Sequence, residues 1–117
     1  MRVRRGDIVS VDLGGPGDDD TRGGEIYKTR PAVVIQNDMG NKHSVTTIIA
    51  PISGRHTTYP FHVNLPGSMD ELSKDSHVQL DQIRTVNIEE RIVDTYGTVS
   101  PSQMEEIEDA IRISLGL

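Results

Sequence analysis

The sequence predicts a mostly β fold with some α: a small, strongly curved sheet or barrel closed by one C-terminal helix. Three observations predict it. About six short runs are rich in β-branched or apolar residues, with turn signals between them. Only residues 100–116 combine helical apolar periodicity with a start and a stop signal. The 117 residues are enough for one core, and no repeat or composition shift marks a second domain. Residues 1–117 are therefore read as one domain.

Residues 7–13 alternate partially and form the first strand. Residues 14–24 are rich in glycine and carry Asp18, Asp19 and Asp20, the pattern of a solvated loop. The continuous apolar run 31–37 predicts a strand buried on both faces. Residues 38–43 read as a loop, and 45–52 as the next strand, with Pro51 marking an edge or bulge. Residues 59–65 alternate strictly, placing Tyr59, Phe61, Val63 and Leu65 on one face of a half-buried strand. Ser68 and Asn87 are each followed three positions on by an acid, Glu71 and Glu90, which predicts short helical turns at 68–71 and 87–90. Residues 77–80 and 83–86 form one or two strands interrupted at Asp81 and Gln82, and 95–99 form the last.

The final helix is the best marked. Ser100 caps it, Pro101 occupies the first turn and Gln103 completes a capping box. Met104, Ile107, Ile111 and Leu115 make an apolar stripe opposite Glu105, Glu106, Glu108 and Asp109. Arg112 suits the dipole at the last turn, and Gly116 ends the helix.

Composition removes several function classes. There is no cysteine, so disulfides, thiolate metal sites and a thiol nucleophile are excluded. His43, His56, His62 and His77 lack paired ligand spacing, and no metal or other cofactor is expected. No apolar run approaches the ~20 residues of a membrane span, and no apolar stretch follows the basic N-terminus as a secretory signal requires. A cytoplasmic location is the expectation. The formal charge is −6, but it is uneven: residues 1–60 carry +1 and residues 61–117 carry −7. A polyanion would meet the first half. Arginine outnumbers lysine nine to three, which suits two-pronged phosphate contact and equally suits a salt-adapted host.

Chemistry is left to polar residues at strand ends. Arg30 precedes a strand that otherwise reads as core, so its side chain must leave at the rim. Ser53 follows the strand 45–52, Asp81 and Gln82 interrupt two apolar runs, and Arg84 follows them. An arginine, a hydroxyl and a carboxylate brought together suit phosphodiester cleavage: the cation stabilises the charged transition state while another group moves the 2′-OH proton. The competing reading makes Asp81 and Arg84 a structural ion pair.

The residues in question are those by which the chain resembles the MazF/PemK toxin family. Arg5-Gly6-Asp7-Ile8-Val9, Gly24-Glu25-Ile26-Tyr27-Lys28-Thr29-Arg30-Pro31-Ala32-Val33-Val34-Ile35, Asn37-Asp38-Met39-Gly40-Asn41, Ala50-Pro51-Ile52-Ser53, Tyr59-Pro60-Phe61, Lys74-Asp75-Ser76 and Leu80-Asp81-Gln82-Ile83-Arg84-Thr85 follow in family order. The resemblance implies an SH3-like barrel, a homodimer and a cognate antitoxin. It implies metal-independent cleavage of single-stranded RNA at short sequences, leaving a 2′,3′-cyclic phosphate and a 5′-hydroxyl. It assigns catalysis to Arg30, Ser53 (where many members have threonine) and Asp81. RNA contact falls to Gly24, Glu25, Lys28, Thr29, Arg55, Gln82 and Arg84. Gln79 stands where one branch has a second arginine. Two alternatives remain at this point. One is a CcdB-like toxin acting on gyrase, although the chain has no tryptophan near its end. The other is a barrel without catalysis that serves as a binding or regulatory module.

Overall fold

The computed structural model describes residues 1–14, 24–67, 72 and 74–117. Strand β1 (Asp7–Asp12) pairs antiparallel with β2 (Thr29–Val34) on one edge and with β7 (Ile92–Thr98) on the other. The outer edge of β2 pairs with β3 (Thr46–Gly54). On its far edge β3 carries two partners in succession, first β6 (Arg84–Asn87) and then β5 (Ser76–Gln79). Strand β4 (His62–Leu65) pairs with β5. Among the described residues three helices complete the order: α1 (Asp38–His43), α2 (Ile88–Arg91) and α3 (Pro101–Leu115). The described residues thus hold seven strands, because the segments on either side of Asp81 and Gln82 are separate strands with different partners.

The curved sheet is not closed by pairing. Strand β6 passes through α2 directly into β7, and no ladder joins the two. Val9, Val11, Ala32, Val34, Ile49, Val86, Ile88 and Ile92 pack together on one face of the sheet. On the opposite face Ile8, Val33, Ala50, Ile52, Val63, Val78 and Leu80 pack with Ile107 and Ala110 of α3. The middle strands are therefore buried on both faces, as the unbroken apolar run in β2 predicts. Helix α3 is tied down at its middle and near its C-terminal end. Arg5 pairs with Glu108 at 2.9 Å, and the Ser114 hydroxyl donates to the Leu80 carbonyl at 2.8 Å.

Prolines shape β3 and its neighbour. Ile35 donates to the Ile48 carbonyl, so even-numbered residues of β3 turn their peptide groups toward β2 and odd-numbered ones turn them away. The Pro51 nitrogen then falls between the end of the β6 pairing at Ile49 and the start of the β5 pairing at Ile52, where no rung needs a donor. Pro31 acts on the other edge. The last β2–β3 pair is Ala32 with Pro51, and the next would bring residue 31 opposite Ile52. That rung needs an N–H from residue 31, which proline lacks. Beyond it β2 continues with β1, down to Thr29 opposite Asp12, and β3 continues with β5, down to Gly54 opposite Ser76. The sheet forks there.

Several elements differ from expectation. Residues 38–43, read as a loop, form α1. Asn37 caps it, accepting from the Gly40 N–H at 2.8 Å. Buried Asn41 accepts from the Thr47 hydroxyl at 2.6 Å and donates to the Gln36 carbonyl at 3.0 Å. Such side-chain bonds hold a turn whose local helix propensity is poor. The Asp38 carboxylate accepts from the Arg5 backbone N–H, which, with Asn41, holds its pKa below the usual range. Tyr59 and Phe61 precede β4 instead of belonging to it. Their rings stack with centroids 5.2 Å apart, and Tyr59 is exposed. Strand β7 begins at Ile92, earlier than the expected 95. On α3 the buried positions are Ile107 and Ala110; Leu115 is exposed. The capping box and the left-handed Gly116 (φ 73°) are as expected. The turn expected at 87–90 is α2, capped by Asn87. The aspartates 18–20 and the turn expected at 68–71 lie outside the described residues.

Candidate active site

Where β2 and β3 part, a cleft of about 200 Å³ opens, lined by Arg30, Pro31, Ile52, Ser53, Gly54, Leu72, Lys74 and Ser76. Arg30 stands on one jaw and Ser53 on the other. Continuing the β2–β3 register from Ala32 and Pro51 would bring these two residues opposite each other. The Arg30 Nε donates to the Tyr27 carbonyl at 3.0 Å, which fixes the plane of the guanidinium and leaves its other nitrogens for a ligand. Ser53 is half-buried.

The same register brings Lys28 opposite Arg55. Among the described residues these are the two non-glycine residues with positive φ, 74° and 90°. Both are cationic and both end the strands that bear the site. Left-handed backbone costs an L residue roughly 1–2 kcal/mol, and such strain concentrates at functional sites. It is held here by backbone bonds: the Lys28 N–H donates to Gly14 O, and the Arg55 N–H to Asp75 O at 2.7 Å. The Lys28 ammonium also lies 5.4 Å from the Tyr27 ring centroid.

Asp81 does not line the cleft. It lies beyond a row of polar residues on the face of β4 and β5 that turns away from α3. Ser53 pairs with His77, which pairs with Asn64 of β4; one pleat repeat further, Gln79 pairs with His62. His62 Nε2 is 2.9 Å from Asp81 Oδ1, and His62 Nδ1 is 2.9 Å from the Thr57 hydroxyl. The carboxylate accepts, so Nε2 carries a proton. The His62 and His77 rings lie 4.6 Å apart. His77 is buried, and desolvation pushes its pKa below the ordinary 6.5, more than offsetting its bond to Arg55. Its neutral ring donates from Nδ1 to the Arg55 carbonyl at 2.8 Å, so Nε2 is free to accept from the Gln79 amide at 3.2 Å. The Gln79 side-chain oxygen Oε1 is buried with no hydrogen-bond partner among the described residues.

Sequence reasoning passed over His62 and His77 as ordinary sheet residues because their spacing matches no metal motif. The signal that identifies them is strand parity: 62 and 64 on β4, and 77 and 79 on β5, fall on the face opposite the core residues Val63 and Val78. Asp81 and Arg84, ion-pair members in the competing reading, do not pair with each other; the Asp81 carboxylate meets His62. Arg84 instead donates to the Leu13 carbonyl at 3.4 Å, and Gln82 to the Gly24 carbonyl at 3.1 Å. Both side chains brace the two ends of the β1–β2 connection. Gly24, Glu25 and Thr29 are exposed beside them.

Residues 4–115 match the family model described as PemK-like, MazF-like toxin of type II toxin–antitoxin system. The chain is 43% identical over 117 residues to the endoribonuclease MazF of Staphylococcus saprophyticus, covering 98% of this chain and 92% of that protein. An endoribonuclease from a mycobacterial species, solved in complex with its cognate antitoxin, superposes with a TM-score of 0.79 at 27% identity, covering 98% of this chain and 96% of that one. A crystal structure of MazF from Deinococcus radiodurans has the same fold, with a TM-score of 0.79 at 21% identity, covering 100% of this chain and 99% of that one. The arginine-bearing fork and these matches along the whole chain place it in one group: it belongs to the PemK-like, MazF-like toxins of type II toxin–antitoxin systems.

Proposed function

We propose that the protein is a sequence-specific endoribonuclease of the toxin type, cutting single-stranded RNA by attack of the 2′-OH on the neighbouring phosphorus. The observation that carries this reading is the fork cleft, with Arg30 and Ser53 on opposite jaws. The reaction needs no bound nucleophile, because the substrate provides it. The 2′-OH loses its proton, O2′ bonds to phosphorus, and the P–O5′ bond breaks. O5′ then takes up a proton, leaving a 2′,3′-cyclic phosphate and a 5′-hydroxyl. Negative charge builds on the non-bridging oxygens, where the planar Arg30 guanidinium can meet two of them. The Ser53 hydroxyl donates a further hydrogen bond there. Asp81, held by His62, is the carboxylate of this face that takes the 2′-OH proton. That role requires the ribose to lie over Gln79, with its 3′ phosphate reaching toward the cleft.

The cationic strand ends Lys28 and Arg55 flank the path of the RNA, and Gly24, Glu25, Thr29, Gln82 and Arg84 form its border. The 43% identical relative is named an endoribonuclease, and the mycobacterial relative is bound to its antitoxin. We extend both properties to this chain: a cognate antitoxin blocks the cleft, and the toxin works as a homodimer on RNA in the cytoplasm. No helix among the described residues is long and apolar enough to cross a membrane.

The test uses purified protein and a long RNA in EDTA. Cutting at a few defined sites, abolished in Arg30→Ala, is the expected result. Intact RNA with the wild type overturns the enzyme reading, and cutting that requires Mg²⁺ overturns the chemistry.

A further inference from the structure

We propose that Lys74 is a second phosphate-binding cation of the cleft, placed so that one phosphodiester of single-stranded RNA is held from both jaws. The proposal rests on the endoribonuclease reading and deepens it. Lys74 lines the same cleft as Arg30 and Ser53. Its position depends on Gly54 at the end of β3. A Cβ at Gly54 would sit 2.5 Å from the Lys74 Cε and 2.7 Å from its Nζ. The missing side chain is the space in which the end of the lysine rests.

Charge pairing points the same way. Residues 61–117 hold only four Lys or Arg among eleven acids. Arg112 pairs with Asp109, while Arg84 and Arg91 donate to the Leu13 and Asp12 carbonyls. Lys74 alone of the four has no ion-pair or hydrogen-bond partner for its ammonium among the described residues. A cation left unpaired in the acidic half of the chain, lodged on a glycine inside an arginine-bearing cleft, is arranged for an anion from outside.

The two cations divide the work. The Arg30 fork matches the oxygens that gain charge in the transition state, whereas an ammonium is a point charge that holds ground and transition states alike. Lys74→Met should therefore raise KM at least about tenfold, the loss of one charged hydrogen bond, while kcat stays within about twofold. The plot of log(kcat/KM) against log salt should become shallower by about 0.7, the contribution of one phosphate contact on a single strand. Lys74→Arg should restore both. Gly54→Ala, whose Cβ displaces the ammonium, should reproduce the KM rise in the wild type and add little in the Lys74→Met background. A fluorescent 2′-O-methyl oligoribonucleotide, which cannot be cut, reads the same contact through its binding and salt slope. Wild-type KM, binding and slope in Lys74→Met overturn the proposal. Failure of the wild-type protein to cut RNA overturns the endoribonuclease reading instead, and the oligonucleotide binding still decides Lys74.

Discussion

Pro31 follows the last β2–β3 pair, where a continued register would set it against Ile52, and it has no N–H to extend the ladder. The cleft exists because the pairing stops there. Pro31→Val supplies the donor and a residue suited to a strand. The expected outcome is a longer ladder, a narrower cleft and a rate of RNA cleavage at least about tenfold lower, since small displacements of catalytic groups cost that much or more. Stability should change by no more than about 1 kcal/mol, the usual size of a proline effect on the unfolded chain. Cleavage assays with hydrogen exchange at residue 31 check it; a protected new amide with full activity would refute the link between fork and function.

Arg30 and Ser53 should separate by kinetics. Arg30→Ala is expected to lower kcat by at least about 10²-fold, the scale of losing a charge-stabilising donor. Arg30→Lys should recover little, because the fork geometry is lost. Ser53→Thr keeps the hydroxyl and should keep most of the rate, whereas Ser53→Ala should not. Single-turnover cleavage of a mapped RNA site is the measurement, and equal rates for the alanine and threonine variants would remove the hydroxyl from the mechanism.

Asp81 should be sensitive to both its charge and its support. Asp81→Asn is expected to lower kcat with little change in RNA affinity. His62→Gln, which loses the 2.9 Å contact that orients the carboxylate, should lower kcat less. Wild-type kcat in Asp81→Asn would leave Asp81 with no part in proton transfer.

His77 gives a pH dependence of stability with a definite sign. Its folded pKa lies below the ordinary 6.5, so the unfolded chain binds a proton more readily than the fold does. Stability from the neutral ring is complete above that value and is lost as pH falls through 6.5 toward the depressed folded pKa. Melting curves between about pH 7.5 and about pH 5.5 should therefore show a smaller loss for His77→Gln than for the wild type. An equal loss in both proteins would place the dependence elsewhere.

The capping box of α3 offers a stability test remote from the cleft. Ser100→Ala removes an acceptor for the Gln103 N–H and should cost about 1 kcal/mol, roughly 4 °C in Tm for a chain of this size. RNA cleavage at low temperature should be unaffected. A Tm within about 1 °C of the wild type would show that the packing of Ile107 and Ala110, with the bonds of Glu108 and Ser114, carries the helix without its cap.

Much of the fold was legible because its signals are local. The alternation in β1, the apolar run of β2 and the cap, proline and glycine around α3 are properties of neighbouring residues. Helix α1 was not legible, since residues such as Gly40 and Asn41 read as a turn, while the helix is held by side-chain bonds of Asn41 to Gln36 and Thr47 and by the Arg5 N–H reaching Asp38 from the distant N-terminus. Leu115 misled because helical spacing cannot tell which part of a stripe reaches the sheet; Ala110 and Ser114 meet it instead. At the site, Arg30 and Ser53 could be placed at strand ends by pattern, and their opposition follows from a shared register. The separation of Asp81 from that pair could not be read, nor could the position of the histidines between them, because both depend on β3 changing partners at Pro51.

The chemically plainest residues at the fork have a consequence for reading related sequences. A proline opens the gap and a glycine makes room beside it, so a relative that keeps the arginine and the hydroxyl but replaces either one need not share the activity. Surveys that score only charged or nucleophilic positions would count such a chain as an active toxin. Position 31 would flag it as a barrel with a shut mouth, and position 54 as one whose second cation has been pushed aside.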